Sequence, residues 1–422
     1  MKRTARRHLL TSPAYIMLIA VALLVAGGVV MVYSASAVSD YVKLGDSAFH
    51  AKRQVLYALV GIVALAVASR WDFRKRRAAR SPWRPEVVAW VAWGASLAGL
   101  VAVDLAGVGK WGATRSIDLG PFFVQPSEFA KLGCLLVVAV LLVQWRRQAI
   151  TGKQFAIRMT AVLLPVVVLI MMQPDMGTTM SIVMVTAVML WLGGLRARWF
   201  AAMFAVGAPT VALLIWKAGY RLERITGFID PWSDPADSGY QIIQSLYAFG
   251  SGGLFGVGLG LSRQKFFYLP AAHNDFIFAI IGEEAGLIGT LCVVAAFVAF
   301  AYAGMRIAIE CKDPFGRLMA GGLTSMIVIQ ALMNMAAVTR LMPITGIPLP
   351  FVSAGGSSMI LTLSSVGLIL AVSRQNGGAR VRLVRETKPR GAARASTGER
   401  GRNGRARLSG TDSGRSASRR GA

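Results

Sequence analysis

The chain is patterned in blocks. Ten runs of apolar residues, at roughly 14–33, 55–69, 87–103, 127–143, 160–172, 181–195, 199–216, 276–304, 318–338 and 359–372, are separated by polar or basic connections. The runs are continuous rather than periodic, so the helices they predict are apolar on every face, as buried or membrane-spanning helices are. Several reach the ~20 residues an α-helix needs to cross a bilayer. The shorter ones are expected to be lengthened by flanking residues or buried among neighbours. The pattern predicts an all-α, polytopic membrane protein of about ten transmembrane helices. Its parts are a cytoplasmic N-terminus (1–13), a ten-helix domain (14–373) and a tail (374–422). The first run follows "MKRTARRH" and precedes "SASA", the outline of a signal peptide, but it exceeds the usual apolar region of about 7–15 residues. An uncleaved first helix is expected.

Charge orients the spans. The chain holds 46 Lys and Arg against 20 Asp and Glu, a formal net charge of +26. The densest basic connection, "RWDFRKRRAARSPWR" (70–84), belongs in the cytoplasm because basic connections resist translocation. With ten spans both termini are then cytoplasmic. This topology, with attraction to anionic membrane lipids, accounts for the charge without nucleic acid as a partner. The tail, rich in Gly, Ser, Ala and Arg, lacks the apolar content for a core and is expected to be disordered. Cys134, Cys292 and Cys311 have neither metal-binding nor disulfide-framework spacing, and packing is their expected role.

One connection stands apart. Residues 217–275, between the seventh and eighth spans, form a long outer loop carrying Trp232, Tyr240, Tyr247, Phe266, Phe267 and Tyr268. Loops of this length in compact proteins are commonly functional. An amphipathic piece around Gln241–Phe249 is suited to the membrane surface. The segment "GSGGLFGVGLG" (250–260) fits neither the dinucleotide nor the P-loop pattern. It reads as a closely packed re-entrant segment or as a backbone nest for pyrophosphate.

Polar residues in or beside the spans point to the same side. Glu128 and Lys131 are three apart on one helix, as a structural ion pair or as the lining of a charged cavity. Asp175, between Pro174 and Gly177, is a turn cap or a site residue. "PITGIPLPFVSAGGSS" (343–358) is irregular backbone, tolerated at depth only when buried in protein or lining a wet cavity. In "LPAAHNDFIFAIIGEE" (269–284) Asp275 opens an apolar run, either capping its helix or serving in a site. Glu283 and Glu284 are too far in to cap, and lie about 80° and 180° around the helix from Asp275. They are expected to serve different surroundings.

The segments "QPSEFAKL", "QPDMGTT", "GYQIIQSLYAFGSGGLFGVGLG", "SRQKFFYLPAAHNDFIFAIIGEE" and "TGIPLPFVSAGGSS" resemble the signatures of the SEDS family of bacterial cell-wall proteins, in order, over roughly residues 14–375. The "QKFFYLP" run is more similar to the division-type members than to the elongation-type ones. The resemblance implies a peptidoglycan glycosyltransferase of the bacterial inner membrane, acting at the division septum. It would join lipid II units with release of undecaprenyl pyrophosphate, beside a class B penicillin-binding protein and other division proteins, with Asp275 as the essential aspartate. Lys131, Lys265 and Arg224 are candidate cations for the leaving group, and a divalent cation (Mg or Mn) is a further option. Glu128, Asp175, Gln244, Glu283, Glu284 and Ser357 complete the candidate substrate-binding set. A sugar hydroxyl attacking an anomeric carbon needs a base, and a placed carboxylate supplies about 10²–10⁴-fold. One displacement inverts the α-linked donor to a β-1,4 glycan with no covalent glycosyl-enzyme. The alternatives are a lipid II flippase, since intramembrane charges and broken helices also suit transport, a non-catalytic division scaffold, and an elongation-type rather than division-type member of the family.

Overall fold

The computed structural model describes residues 13–73, 84–106, 108–110, 113–118, 123–216 and 226–386. Eleven α-helices are present among them: α1 Pro13–Leu44, α2 Phe49–Ala68, α3 Pro85–Ala106, α4 Pro126–Arg146, α5 Gly152–Met172, α6 Met176–Leu192, α7 Ala197–Trp216, α8 Tyr240–Gly252, α9 Ile277–Glu310, α10 Pro314–Val338 and α11 Gly356–Glu386. All ten apolar runs fall on helices to within a few residues, and α8 is the addition between the seventh and eighth. Eight of these helices are long and apolar enough to cross a membrane, and α6 is a shorter apolar helix. The chain is therefore an all-α polytopic membrane protein. Its last helix continues to Glu386, past the end of the run at 372. The basic "MKRTARRH", most of the 70–84 cluster and the tail from 387 onward lie outside the described residues.

Local sequence explains where the helices stop. Pro126, Pro85 and Pro314 each stand at the first helical position, where a missing N–H costs nothing. Thr151 and Gln154 form a capping box at α5, while Asp175 and Asp313 cap α6 and α10 through the N–H groups of Thr178 and Gly316. Each cap removes one of the four orphan donors of a helix start.

Helix α4 is buried over nearly its whole length, and α10 and the described part of α11 are largely buried. The outer helices show the bare apolar side chains expected of lipid-facing surface, among them Leu23, Val63, Val91 and Val298. Cys134 and Cys311 are buried, as packing cysteines should be, but Cys292 lies on the exposed face of α9. Between α3 and α4 the chain makes a small antiparallel sheet of β1 (Val108–Lys110), β2 (Ala113–Asp118) and β3 (Phe123–Val124), which pairs Gly109 with Thr114 and Asp118 with Phe123.

Helix α9 is broken at Gly286, whose φ of 66° departs from helix. The glycine-rich segment after α8 repairs the break. Val257 and Gly258 donate their N–H groups to the carbonyls of Glu283 and Glu284, and Leu287 and Ile288 donate to those of Gly253 and Leu254. In a membrane every backbone group needs a partner, and here a neighbouring strand-like stretch supplies four. The close packing expected of "GSGGLFGVGLG" is realised in these backbone bonds. The N–H groups of Val257 and Gly258 are spent on α9 and are not offered to a phosphate.

Candidate active site

The irregular segment 343–355, between α10 and α11, is the hub of one end of the bundle. Asn334 on α10 donates from Nδ2 to the Ile347 carbonyl at 2.8 Å and to the Asp275 carbonyl at 2.7 Å. One turn earlier, Gln330 Nε2 donates to the Pro348 carbonyl at 3.1 Å. Its Oε1 accepts from Lys131 Nζ at 2.7 Å, and Lys131 also pairs with Glu128 at 2.6 Å. Lys131 and Glu128 are each 3% exposed. The i, i+3 spacing thus gives a buried ion pair on α4, tied across to α10 and so to the hub. Glu128 Oε2 has no hydrogen-bond partner among the described residues, leaving half of this carboxylate unspent.

Asp175 and Ser357 lie at the same end of the bundle. A methyl group on Gly177 would lie 2.6 Å from the Thr345 carbonyl, so the start of α6 abuts the hub closely. Asp175 is 4% exposed and accepts from Thr178 N at 3.0 Å and Thr178 Oγ1 at 2.8 Å. The capping reading of Asp175 is realised. Ser357 bridges the sheet to α11, donating to the Phe123 carbonyl at 2.8 Å and accepting from Gln125 N at 3.0 Å.

Asp275 stands one residue before Phe276, the N-cap of α9, and is half-buried. A methyl group on Gly346 would sit 3.7 Å from its Oδ2. Its turn is held through three consecutive carbonyls. That of His273 accepts from Ala354 N at 3.0 Å, that of Asn274 from Ser353 Oγ at 2.6 Å, and that of Asp275 from Asn334. Each donor belongs to α10 or to the segment that follows it.

Glu283 and Glu284 belong elsewhere. Both are 1% exposed. Glu283 accepts from Ser262 Oγ, from Arg263 N at 2.8 Å and from Gln264 N at 3.4 Å. Glu284 accepts from Ser34 Oγ of α1 at 2.6 Å and from Ser262 N at 3.3 Å, and faces Lys265 Nζ at 3.5 Å. The expectation of different surroundings is corrected in part. Both carboxylates grip the 262–265 loop, because its successive N–H groups fan across two adjacent side chains, and only Glu284 also reaches α1. Lys265 is 7% exposed and further bound to the Gly260 carbonyl, so its charge is turned inward. Gln244 is half-buried on α8, a helix that packs on the bundle through Ile242, Ile243, Ala248 and the Ser245 hydroxyl, 2.7 Å from the Val338 carbonyl. Arg224 lies outside the described residues.

The structure adds residues that pattern reading passed over. The guanidinium of Arg53 lies 4.8 Å from the ring centre of Phe49 and 5.2 Å from that of Phe123, within cation–π range. Asp40 is 2% exposed and accepts from His50 Nδ1 at 2.6 Å. The His50 ring lies 4.5 Å from that of His273. Only a lone His in "LPAAHND" hinted at this, and its partners stand more than two hundred residues earlier. Among the described residues no three His, Cys, Asp or Glu side chains group closely enough to hold a metal ion.

Comparison with known proteins gives a consistent answer. The FtsW/RodA/SpoVE family, described as cell cycle proteins, matches residues 14–377. Stage V sporulation protein E of Bacillus subtilis is 42% identical over 372 residues, which cover 86% of this chain and 98% of that protein. A probable peptidoglycan glycosyltransferase FtsW of Geobacter sulfurreducens is 41% identical over 365 residues, 86% of this chain and 95% of its own. Among solved structures, a chain of a peptidoglycan synthase complex that coordinates polymerization and crosslinking superposes with a TM-score of 0.68 at 29% identity, over 85% of this chain and 97% of that one. The rod shape determining protein RodA of Thermus thermophilus gives 0.60 at 26% identity, over 85% and 96%.

Proposed function

From the premise that the chain belongs to the FtsW/RodA/SpoVE family of cell cycle proteins, we propose that it polymerises lipid II into glycan strands during cell division. It is a peptidoglycan glycosyltransferase and a multi-pass membrane protein; the division role, the septal location and the topology with both termini cytoplasmic are the finer parts of the proposal. The observation that carries the chemistry is the Asp275 turn. It is a half-buried carboxylate whose backbone is fixed by three donors at the irregular end of the bundle.

In this reading Asp275 takes the proton of the attacking sugar hydroxyl as the new glycosidic bond forms. Pyrophosphate leaves from the opposite face, so the anomeric centre inverts. The leaving group is already a weak base and needs cations rather than a general acid. Arg53, beside Phe123, serves as one, and Lys131, held by Glu128 and Gln330, as another. The proposed partners are lipid II, undecaprenyl pyrophosphate, membrane lipids and a class B penicillin-binding protein. The last is supported by likeness to a chain of a complex that joins polymerization to crosslinking.

Asp275→Asn tests the assignment, since Asn keeps the shape of the side chain but has no proton affinity. Purified with its partner, the variant should fold and insert normally while glycan synthesis from lipid II falls by about 10²–10⁴-fold, read by gel sizing of strands. Strand synthesis at the wild-type rate would remove Asp275 from the chemistry.

A further inference from the structure

The Asp275 turn is held by its backbone from one side. The hairpin that joins α1 to α2 also reaches it, through the ring of His50 against that of His273. Asp40, near the end of α1, is almost wholly buried and fully committed. Its Oδ2 accepts from Ser36 Oγ at 2.9 Å and from the backbone N–H of His50 at 3.0 Å, and its Oδ1 bonds His50 Nδ1 at 2.6 Å. A carboxylate on Nδ1 sets the tautomer and the ring plane of a histidine. The ring so fixed lies against the His273 ring, centres 4.5 Å apart and planes inclined by 42°, and is braced on its other side by Phe49 at 5.4 Å, edge-on. His273 is two residues before Asp275. The charged and titratable groups facing it from the packed elements are Asp40 and Lys43 of α1 and His50 of α2; Lys43 also reaches over the Phe267 ring at 5.6 Å.

We infer that Asp40 and His50 are positioning residues for the proposed base. Asp40 orients His50, His50 forms a shelf for the His273 ring, and that shelf fixes the side of the turn from which the Asp275 carboxylate projects. The inference rests on the proposed glycosyl transfer for its kinetic consequence and on geometry alone for the rest. Stacking an imidazole from each of two elements limits rotation of the turn about its carbonyl bonds. The environment also keeps the His273 ring uncharged. Burial first, then the charge of His50, with a further push from Lys43 against the opposing pull of Asp40, takes the His273 imidazole down to about 4 from an ordinary value of 6.5.

His50→Phe keeps an aromatic surface and removes the bond to Asp40. With wild-type levels of folded protein in the membrane, kcat for strand synthesis should fall about 10–100-fold, the scale of a misplaced reacting group. KM for lipid II should stay within about twofold, because the shelf touches no substrate. The acid limb of the rate profile should move upward, since one of the influences holding His273 down is gone. The double variant His50→Phe/His273→Asn, with no ring left to titrate there, should return that limb to its wild-type position. Asp40→Asn should reproduce the kcat loss and decides the matter if His50→Phe does not accumulate. A second reading needs no activity. In a background with the three native cysteines replaced by Ser, the thiol of an Asp275→Cys variant should be labelled several-fold faster by a water-soluble maleimide when His50→Phe is added. Unchanged kcat, acid limb and labelling rate, or a loss confined to protein level with normal specific activity, overturns the inference. Wild-type protein that makes no strands while the labelling rate rises as stated would count against the proposed function alone.

Discussion

At the scale of the residue, the Glu128–Lys131 pair shows how one spacing supports two roles. Both side chains are 3% exposed on a helix buried along nearly its whole length, so neither charge is affordable without the other. Lys131→Met should leave Glu128 as an uncompensated buried charge and cost about 3–5 kcal/mol, measured by thermal unfolding in detergent. Glu128→Gln/Lys131→Met removes both charges and should recover most of that stability. The informative number is the activity of the double variant. A value within about twofold of wild type would make the pair purely structural, whereas recovered stability with activity still reduced would place Lys131's charge in the reaction. Asp175 offers a contrast: capping and site membership were both legible in the sequence, and the Thr178 bonds show that the cap is made.

At the scale of the element, the break in α9 is the least expected feature and the most constrained. A methyl group on Gly286 would meet Gly256 N at 2.4 Å and the Leu254 carbonyl at 2.6 Å, at a φ of 66°. Gly286→Ala should therefore separate the glycine-rich segment from α9, strand four backbone groups and lower stability by at least ~2 kcal/mol from strain and overpacking together. Gly250→Ala, in the same run but with nothing within 4 Å of the added methyl, should be within about 0.5 kcal/mol of wild type. Equal unfolding temperatures for the two variants would refute the docking described here. The two glutamates beside the break act on the same element. They fasten the 262–265 loop to α9, which leads directly into the Asp275 turn.

At the scale of the whole molecule, the contacts of His50 with His273, Gln125 with Ser357, Gly177 with Thr345 and Asn334 with Asp275 bring the connections around them to one end of the bundle. The proposed topology makes that end periplasmic. Single cysteines at Ser238 and Ser396, in a background without the three native cysteines, test it in cells with a permeabilised outer membrane. A membrane-impermeant thiol reagent should label the first and not the second, and equal labelling would reverse or abolish the orientation.

The apolar blocks were enough to give the class of the protein and the limits of most of its helices, because the cost of exposing backbone or charge to hydrocarbon acts on each segment separately and is written locally. The candidate chemistry was legible for a related reason: Asp275, Lys131 and Asp175 are conspicuous where polar groups are expensive. Which of them meet, and through what, was decided only by the folded chain. Gln330 and Asn334 look like ordinary polar residues of α10 until the irregular segment 345–349 lies against them. Asp40 and His50 gain meaning only when the first hairpin touches a loop more than two hundred residues later. Glu283 and Glu284, placed by helix angle in separate surroundings, share one loop because a flexible backbone can wrap where a helix cannot turn. Hydrogen bonds between distant segments depend on relative placement that no local pattern encodes, and the site of this protein is built almost entirely from such bonds.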